Sequence, residues 1–258
     1  MRRTTLALMI ALLAAATAAC SQERSATHES ATQPAADAAQ PSTLPQGSQP
    51  VTLDPARFTT KIDNPYWPMT PGSRWVYRET DGQASTQRVE VTVTNRTRTI
   101  IGIQARVVHD VVTEEGQLVE DTYDWYAQDD KGNVWYLGED TRKVEDGKVT
   151  SRQGSWQAGV DDAQPGILLP ARPDPGMVYR QEYRGTVAQD TAAVLSLDQR
   201  AKVSSGLFEH VLITKEFTPL EPRLLKHDFY ALGVGPVLSL TVSGGSDREE
   251  LLRYVPAP

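Results

Sequence analysis

Residues 88–94, Arg88-Val89-Glu90-Val91-Thr92-Val93-Thr94, decide the fold class. Three valines alternate with Glu90, Thr92 and Thr94, and a strand sends such alternate side chains to opposite faces. On a helix the same spacing would scatter the valines around the axis, where β-branched side chains are also stiff. The run therefore predicts a strand with one buried and one wet face. Working outward, 105–113 and 118–127 keep the pattern and meet at the turn pair Glu115-Gly116. Residues 129–133 then separate two aromatic runs, as a hairpin loop does. Segments 178–183, 192–197, 211–217, 224–231 and 237–242 continue in kind, and only 186–197 offers a short helix. Short strands divided by Gly and Pro predict an all-β chain, an antiparallel sandwich or curved half-barrel with few short helices.

The chain also resembles itself at an offset of 104 residues. Pro71-Gly72 returns as Pro175-Gly176, Gly102 as Gly206, and Val107 as Val211. Asp124-Trp125-Tyr126-Ala127 returns as Asp228-Phe229-Tyr230-Ala231. Blocks in one register predict a duplicated unit, about 55–158 and 159–258, packed about a pseudo-twofold axis. The period is too long for a solenoid repeat.

The first fifty residues read as an address. Arg2 and Arg3 precede an apolar run from Leu6 to Ala19, which is the pattern of a signal peptide over 1–19. The run is shorter than the roughly 20 residues a transmembrane helix needs. Thr17-Ala18-Ala19-Cys20 resembles the lipobox of bacterial lipoproteins, in which the cysteine is acylated with chains such as palmitate and becomes the new N-terminus. Thr17 stands where leucine is usual, so a soluble secreted product is the alternative. Cys20 is the only cysteine of the 258 residues and has no disulfide partner. Residues 20–52 are Ser-, Ala-, Gln- and Pro-rich, a composition that predicts a disordered tether to a folded part over 53–258. Ser21 resembles the residue that follows the cysteine in lipoproteins released to the outer membrane of Gram-negative cells. In a cell with one membrane the anchor would sit on its outer face.

Formal charge falls from −7 to −9 once Arg2 and Arg3 are removed. With no basic stripe, nucleic acid is not a predicted partner. The sequence has no Gly-x-Ser-x-Gly elbow, Walker loop, His-Glu-x-x-His or cysteine pair, so motif-based nucleophilic or zinc chemistry is not predicted.

Candidate ligand-binding residues are Asp124, Trp125, Tyr126 and Trp135. Asp124 and Tyr126 share a strand face, and all five tryptophans lie in the first unit, where aromatic faces beside carboxylates suit sugars or cations. Residues 110–146 carry twelve Asp and Glu against three Lys and Arg. Hard oxygen donors suit calcium, which makes Asp129, Asp130, Asn133, Glu139 and Asp140 the candidate metal set. No catalytic residue and no cofactor other than calcium is predicted.

Residues 121–140, Asp-Thr-Tyr-Asp-Trp-Tyr-Ala-Gln-Asp-Asp-Lys-Gly-Asn-Val-Trp-Tyr-Leu-Gly-Glu-Asp, resemble a family of bacterial envelope lipoproteins of unassigned function. The likeness covers most of 60–242 and implies export and anchoring but no activity. The expectation is a lipid-anchored, non-enzymatic β-domain that binds an envelope protein, glycan or small molecule. The alternative is a calcium-dependent binder or hydrolase centred on the acidic, Trp-rich first unit.

Overall fold

The computed structural model describes residues 44–82 and 86–258. Cys20, the signal peptide and most of the tether lie outside the described residues. The only helix described is a single 3-10 turn, Pro55–Arg57, started by the Asp54 side chain accepting from the Ala56 amide. The other regular elements described are strands. The first group is β1 (Phe58–Thr59), β2 (Arg74–Thr80), β3 (Thr86–Ile100), β4 (Ile103–Glu114), β5 (Gln117–Asp129) and β6 (Val134–Glu145). Then come β7 (Lys148–Ser151), β8 (Trp156–Gln157), β9 (Gln164–Leu169), β10 (Val178–Arg180) and β11 (Glu182–Tyr183). The last are β12 (Thr191–Val203), β13 (Gly206–Phe217), β14 (Leu225–Ala231), β15 (Gly235–Ser243) and β16 (Arg248–Val255). The all-β expectation holds, and the helix option over 186–197 gives way to β12, whose apolar Ala192 and Val194 sit in the sheet interior.

All ladders are antiparallel, and the main path runs β10-β12-β13-β14-β15-β16-β2-β3-β4-β5-β6-β9-β11. Its two ends, β10 and β11, are separated in the chain by Gln181 alone. The sheet therefore curls almost onto itself, and the chain itself bridges the gap. Closing an antiparallel sheet removes edges that would otherwise template aggregation. At this seam β9 lies so close to residues 180–181 that a Cβ on Gly166 would strike the Arg180 and Gln181 carbonyls. Glycine is required there by proximity, not by a left-handed φ.

The seam also holds the start of the folded part. Arg180, 1% exposed, donates through its guanidinium to the carbonyls of Gly47, Gln49 and Pro165, each at 2.7 Å. Its amide donates to the Pro45 carbonyl. With no carboxylate beside it, burial lowers the Arg180 pKa to about 10. Leu44, Val51 and Leu53 pack on the core. Residues 44–52, assigned to the tether from composition, are thus seated on the sheet and belong with the folded part.

Two long hairpins bend at register shifts: β3–β4 between Val93 and Thr97, and β12–β13 between Val194 and Ala201. The first tip comes back over the outside of its own half. Ile101 reaches Gly159, and the Arg98 guanidinium bonds Gln157 and lies 4.0 Å above the Trp125 ring. The second tip reaches β16 through the Ser205 amide to the Leu251 carbonyl.

Candidate functional site

Cross-strand partners lie on the same face of a sheet, so the register traces which side chains share the inside of the curl. One unbroken rung crosses eight strands: Val194, Thr214, Asp228, Ser239, Glu249, Glu79, Gln87 and Glu114. Neighbouring rungs add Trp75, Val91, Asp110 and Thr122, and then Val108, Asp124 and Glu139. This face turns back on itself. The Trp67 ring lies 5.9 Å from Tyr126 on β5 and 6.3 Å from Tyr230 on β14, strands six places apart along the path. Trp67 closes one end of the interior, and its close approach to Gly235 (φ +109°) leaves no room there for a side chain.

Away from that aromatic end the inward positions turn acidic. Along β2 the sequence is Trp75, Tyr77, Glu79; along β14 it is Tyr230, Asp228, Lys226. Glu79, Asp110, Glu139, Glu216, Asp228 and Glu249 are all partly accessible to water, yet protein surrounds them closely enough to hold their pKa values up. Burial, then Asp228 and other neighbouring carboxylates, raises Glu216 to about 8. Burial, then Glu79 and Asp228, raises Glu249 to about 8. Lys226 faces the same group; burial alone would lower its pKa, but Glu216, Asp228, Asp190 and Glu79 carry it above the usual value. Partial exposure with strong desolvation is what a walled, wet interior produces.

The two sides of this interior differ. On the first, the Tyr136 hydroxyl lies 2.7 Å from Asp124 and 2.9 Å from Glu139. A phenol has one proton to donate, so the second carboxylate is best satisfied when one of the pair is itself protonated. Burial raises Asp124 to about 6, and burial with the Asp124 charge raises Glu139 to about 8. On the second side Asp228 has Ser239 as a partner, but its Oδ2 is buried with no hydrogen bond, as is the hydroxyl of fully buried Tyr179.

The predicted ligand residues fall in three places. Asp124 and Tyr126 point inward. Trp125, next in sequence, points outward and is sealed beneath Arg98. Trp135 donates to Asp129 at 2.9 Å, stands edge-on to Phe58 and lines an outer cleft of about 270 Å³ with Leu53 and Arg57.

The predicted metal residues are not gathered either. Asp129 is spent on its own loop, accepting from the amides of Lys131 and Asn133 and from the side chains of Asn133 and Trp135. Asp130 forms an exposed pair with Arg57 at 2.8 Å, and the Asn133 side-chain oxygen accepts from the Ala171 amide. Strand alternation along β6 sends Glu139 inward and Asp140 outward to Arg142 and Arg152. Among the described residues no three His, Cys, Asp or Glu side chains are grouped to hold a metal ion.

Sequence reasoning passed over Glu79, Asp110, Glu216, Lys226 and Glu249. Their signal is a charge in the buried phase of an alternating strand, as in Trp75, Tyr77, Glu79 or Leu212, Thr214, Glu216.

No protein-family model and no curated protein matches the chain. Two solved structures resemble it in fold. One, from Bacteroides fragilis, is described as an exported protein with a YmcC-like fold, at 12% identity over 74% of this chain and 98% of that one, with a TM-score of 0.44. The other, from Parabacteroides distasonis, is described as a lipoprotein, at 11% identity over 74% and 98%, with a TM-score of 0.41.

Proposed function

We propose that this is an exported, lipid-anchored envelope protein whose curled sheet binds a small ligand in its interior without transforming it. The signal pattern, the lipobox-like Cys20 and the polar segment after it support the export and anchor. The observation that carries ligand binding is the inward face itself. Folding places carboxylates from strands on both sides of the curl around water-accessible space instead of filling that space with apolar side chains, against the usual preference of a closed sheet. Retaining buried charge that costs stability fits a site better than a scaffold. The duplicated ancestry read from the sequence belongs to this proposal. It is supported by β2 starting at Arg74 and β10 at Val178, and by β4 starting at Ile103 and β13 at Gly206.

Native mass spectrometry of the full chain extracted from membranes tests both parts. The expected spectrum shows acyl mass on Cys20 and a non-covalent small-molecule adduct that is lost from Asp228→Asn. An unacylated chain contradicts the anchor, and a chain bare of adduct in both forms contradicts the ligand.

A further inference from the structure

The second side of the interior has a defined chemistry. Lys226 projects among five carboxylates: Glu79, Glu216, Asp228 and Glu249 from strands β2, β13, β14 and β16, and Asp190 just before β12. Two polar atoms there also lack partners although solvent does not reach them: Asp228 Oδ2 and the hydroxyl of Tyr179. Tyr179 shares this face, because its cross-strand partner is Ala192 and the next partner along is Glu216. An unpartnered carboxylate oxygen and a phenol oxygen both accept hydrogen bonds.

A compact metal ion does not suit this arrangement. The carboxylates come from strands distributed around the curl, and they form none of the close triples that chelation needs. A cation whose charge is spread along a chain does suit it. Lys226 already shows the fit, being an alkyl chain that carries an ammonium into the carboxylates. Tyr230, Trp67 and Trp75, packed on one another, close that end of the space with an apolar wall.

We infer that the space around Lys226 is a binding site for a linear oligoamine, held by Glu79, Glu216, Asp228 and Glu249, with the Tyr179 hydroxyl as a further acceptor. This inference rests on the ligand-binding reading above and names its ligand class. Because Glu216 and Glu249 hold protons up to about pH 8, an arriving ammonium displaces them. Binding at pH 7 is therefore accompanied by proton release.

The test is calorimetric titration of the full chain with spermidine at pH 7 and physiological salt, in two buffers of different ionisation heat. The expected result is one site, with a buffer-dependent heat that reports released protons. Affinity should fall at least tenfold in Glu216→Gln and in Glu249→Gln and stay within twofold in Asp130→Asn, which removes an equal charge from the outer surface. Circular dichroism checks folding, and each single variant serves if the other fails to fold. Equal affinity in all four proteins, or binding abolished by salt alone, would mean surface screening and would overturn the site. Calcium bound more tightly than spermidine would overturn the ligand class. If spermidine does not bind but the membrane-extracted chain carries an adduct lost from Asp228→Asn, the oligoamine falls and the ligand-binding reading stands.

Discussion

Asp124-Trp125-Tyr126 on β5 and Asp228-Phe229-Tyr230 on β14 occupy like positions in the two halves of the sheet, and their surroundings diverge. Trp125 is 3% exposed beneath the Arg98 guanidinium, whereas Phe229 is half-buried. Asp124 shares the Tyr136 hydroxyl with Glu139, whereas Asp228 keeps one buried oxygen without a partner. Opposite Tyr126 and Asp124 stand Tyr136 and Glu139; opposite Tyr230 and Asp228 stand Pro236 and Ser239, which cannot rebuild that network. At this pair of positions one aspartate is closed into a network with a phenol and the other is not, although the first half has its own unpartnered oxygen at Asp110 Oδ1. The same strand frame thus closes Asp124 into a hydrogen-bond network and leaves Asp228 open.

Removing the two outward aromatics should break the comparison most visibly. Trp125→Ala is expected to cost about 3–5 kcal/mol and Phe229→Ala about 1–2 kcal/mol in urea unfolding, because only the first leaves a sealed cavity. Equal losses would show that the second hairpin covers Phe229 as completely as the first covers Trp125.

Stability against pH probes the interior next. A carboxyl with a raised folded pKa contributes fully below its unfolded value, and that contribution is lost as pH rises through the folded value. For Glu139, Glu216 and Glu249 the window runs from 4.5 to about 8, and for Asp124 from 3.8 to about 6. The unfolding midpoint should therefore fall between pH 5 and pH 8. Glu216→Gln and Glu249→Gln should each flatten that slope. A midpoint that rises over this range would place these carboxylates outside.

Tyr136→Phe should cost about 1–3 kcal/mol, since it strips Asp124 and Glu139 of their common donor. An unchanged midpoint would show that another donor serves both carboxylates. Smallest of all, Asp130→Ala should leave the midpoint unchanged, because the Arg57 pair is exposed to water and salt. Asp129→Ala next to it should lower the midpoint measurably by freeing three residues of the loop.

The strands were legible because Val89, Val91 and Val93 advertise their face by local alternation. The closing of the sheet was not. It depends on β16 returning to β2, with Leu251 opposite Tyr77, and on the crossing at Gly166, pairings that no local pattern encodes. The seating of 44–52 was hidden for a related reason, as its anchor is a set of backbone carbonyls that accept from Arg180. Asp124 and Tyr126 were legible as sharing a face, but Trp125 and Trp135 were grouped with them by composition, which ignores strand alternation. The acidic interior was missed because Glu79 or Glu216 in a strand ordinarily marks the wet face, and here the wet face is inside.

That inversion is open to direct measurement. Carboxyl-carbon NMR titration of the full chain should give midpoints near 8 for Glu139, Glu216 and Glu249 and near 6 for Asp124. Midpoints near 4 for all of them would contradict a walled acidic interior, and the ligand site with it.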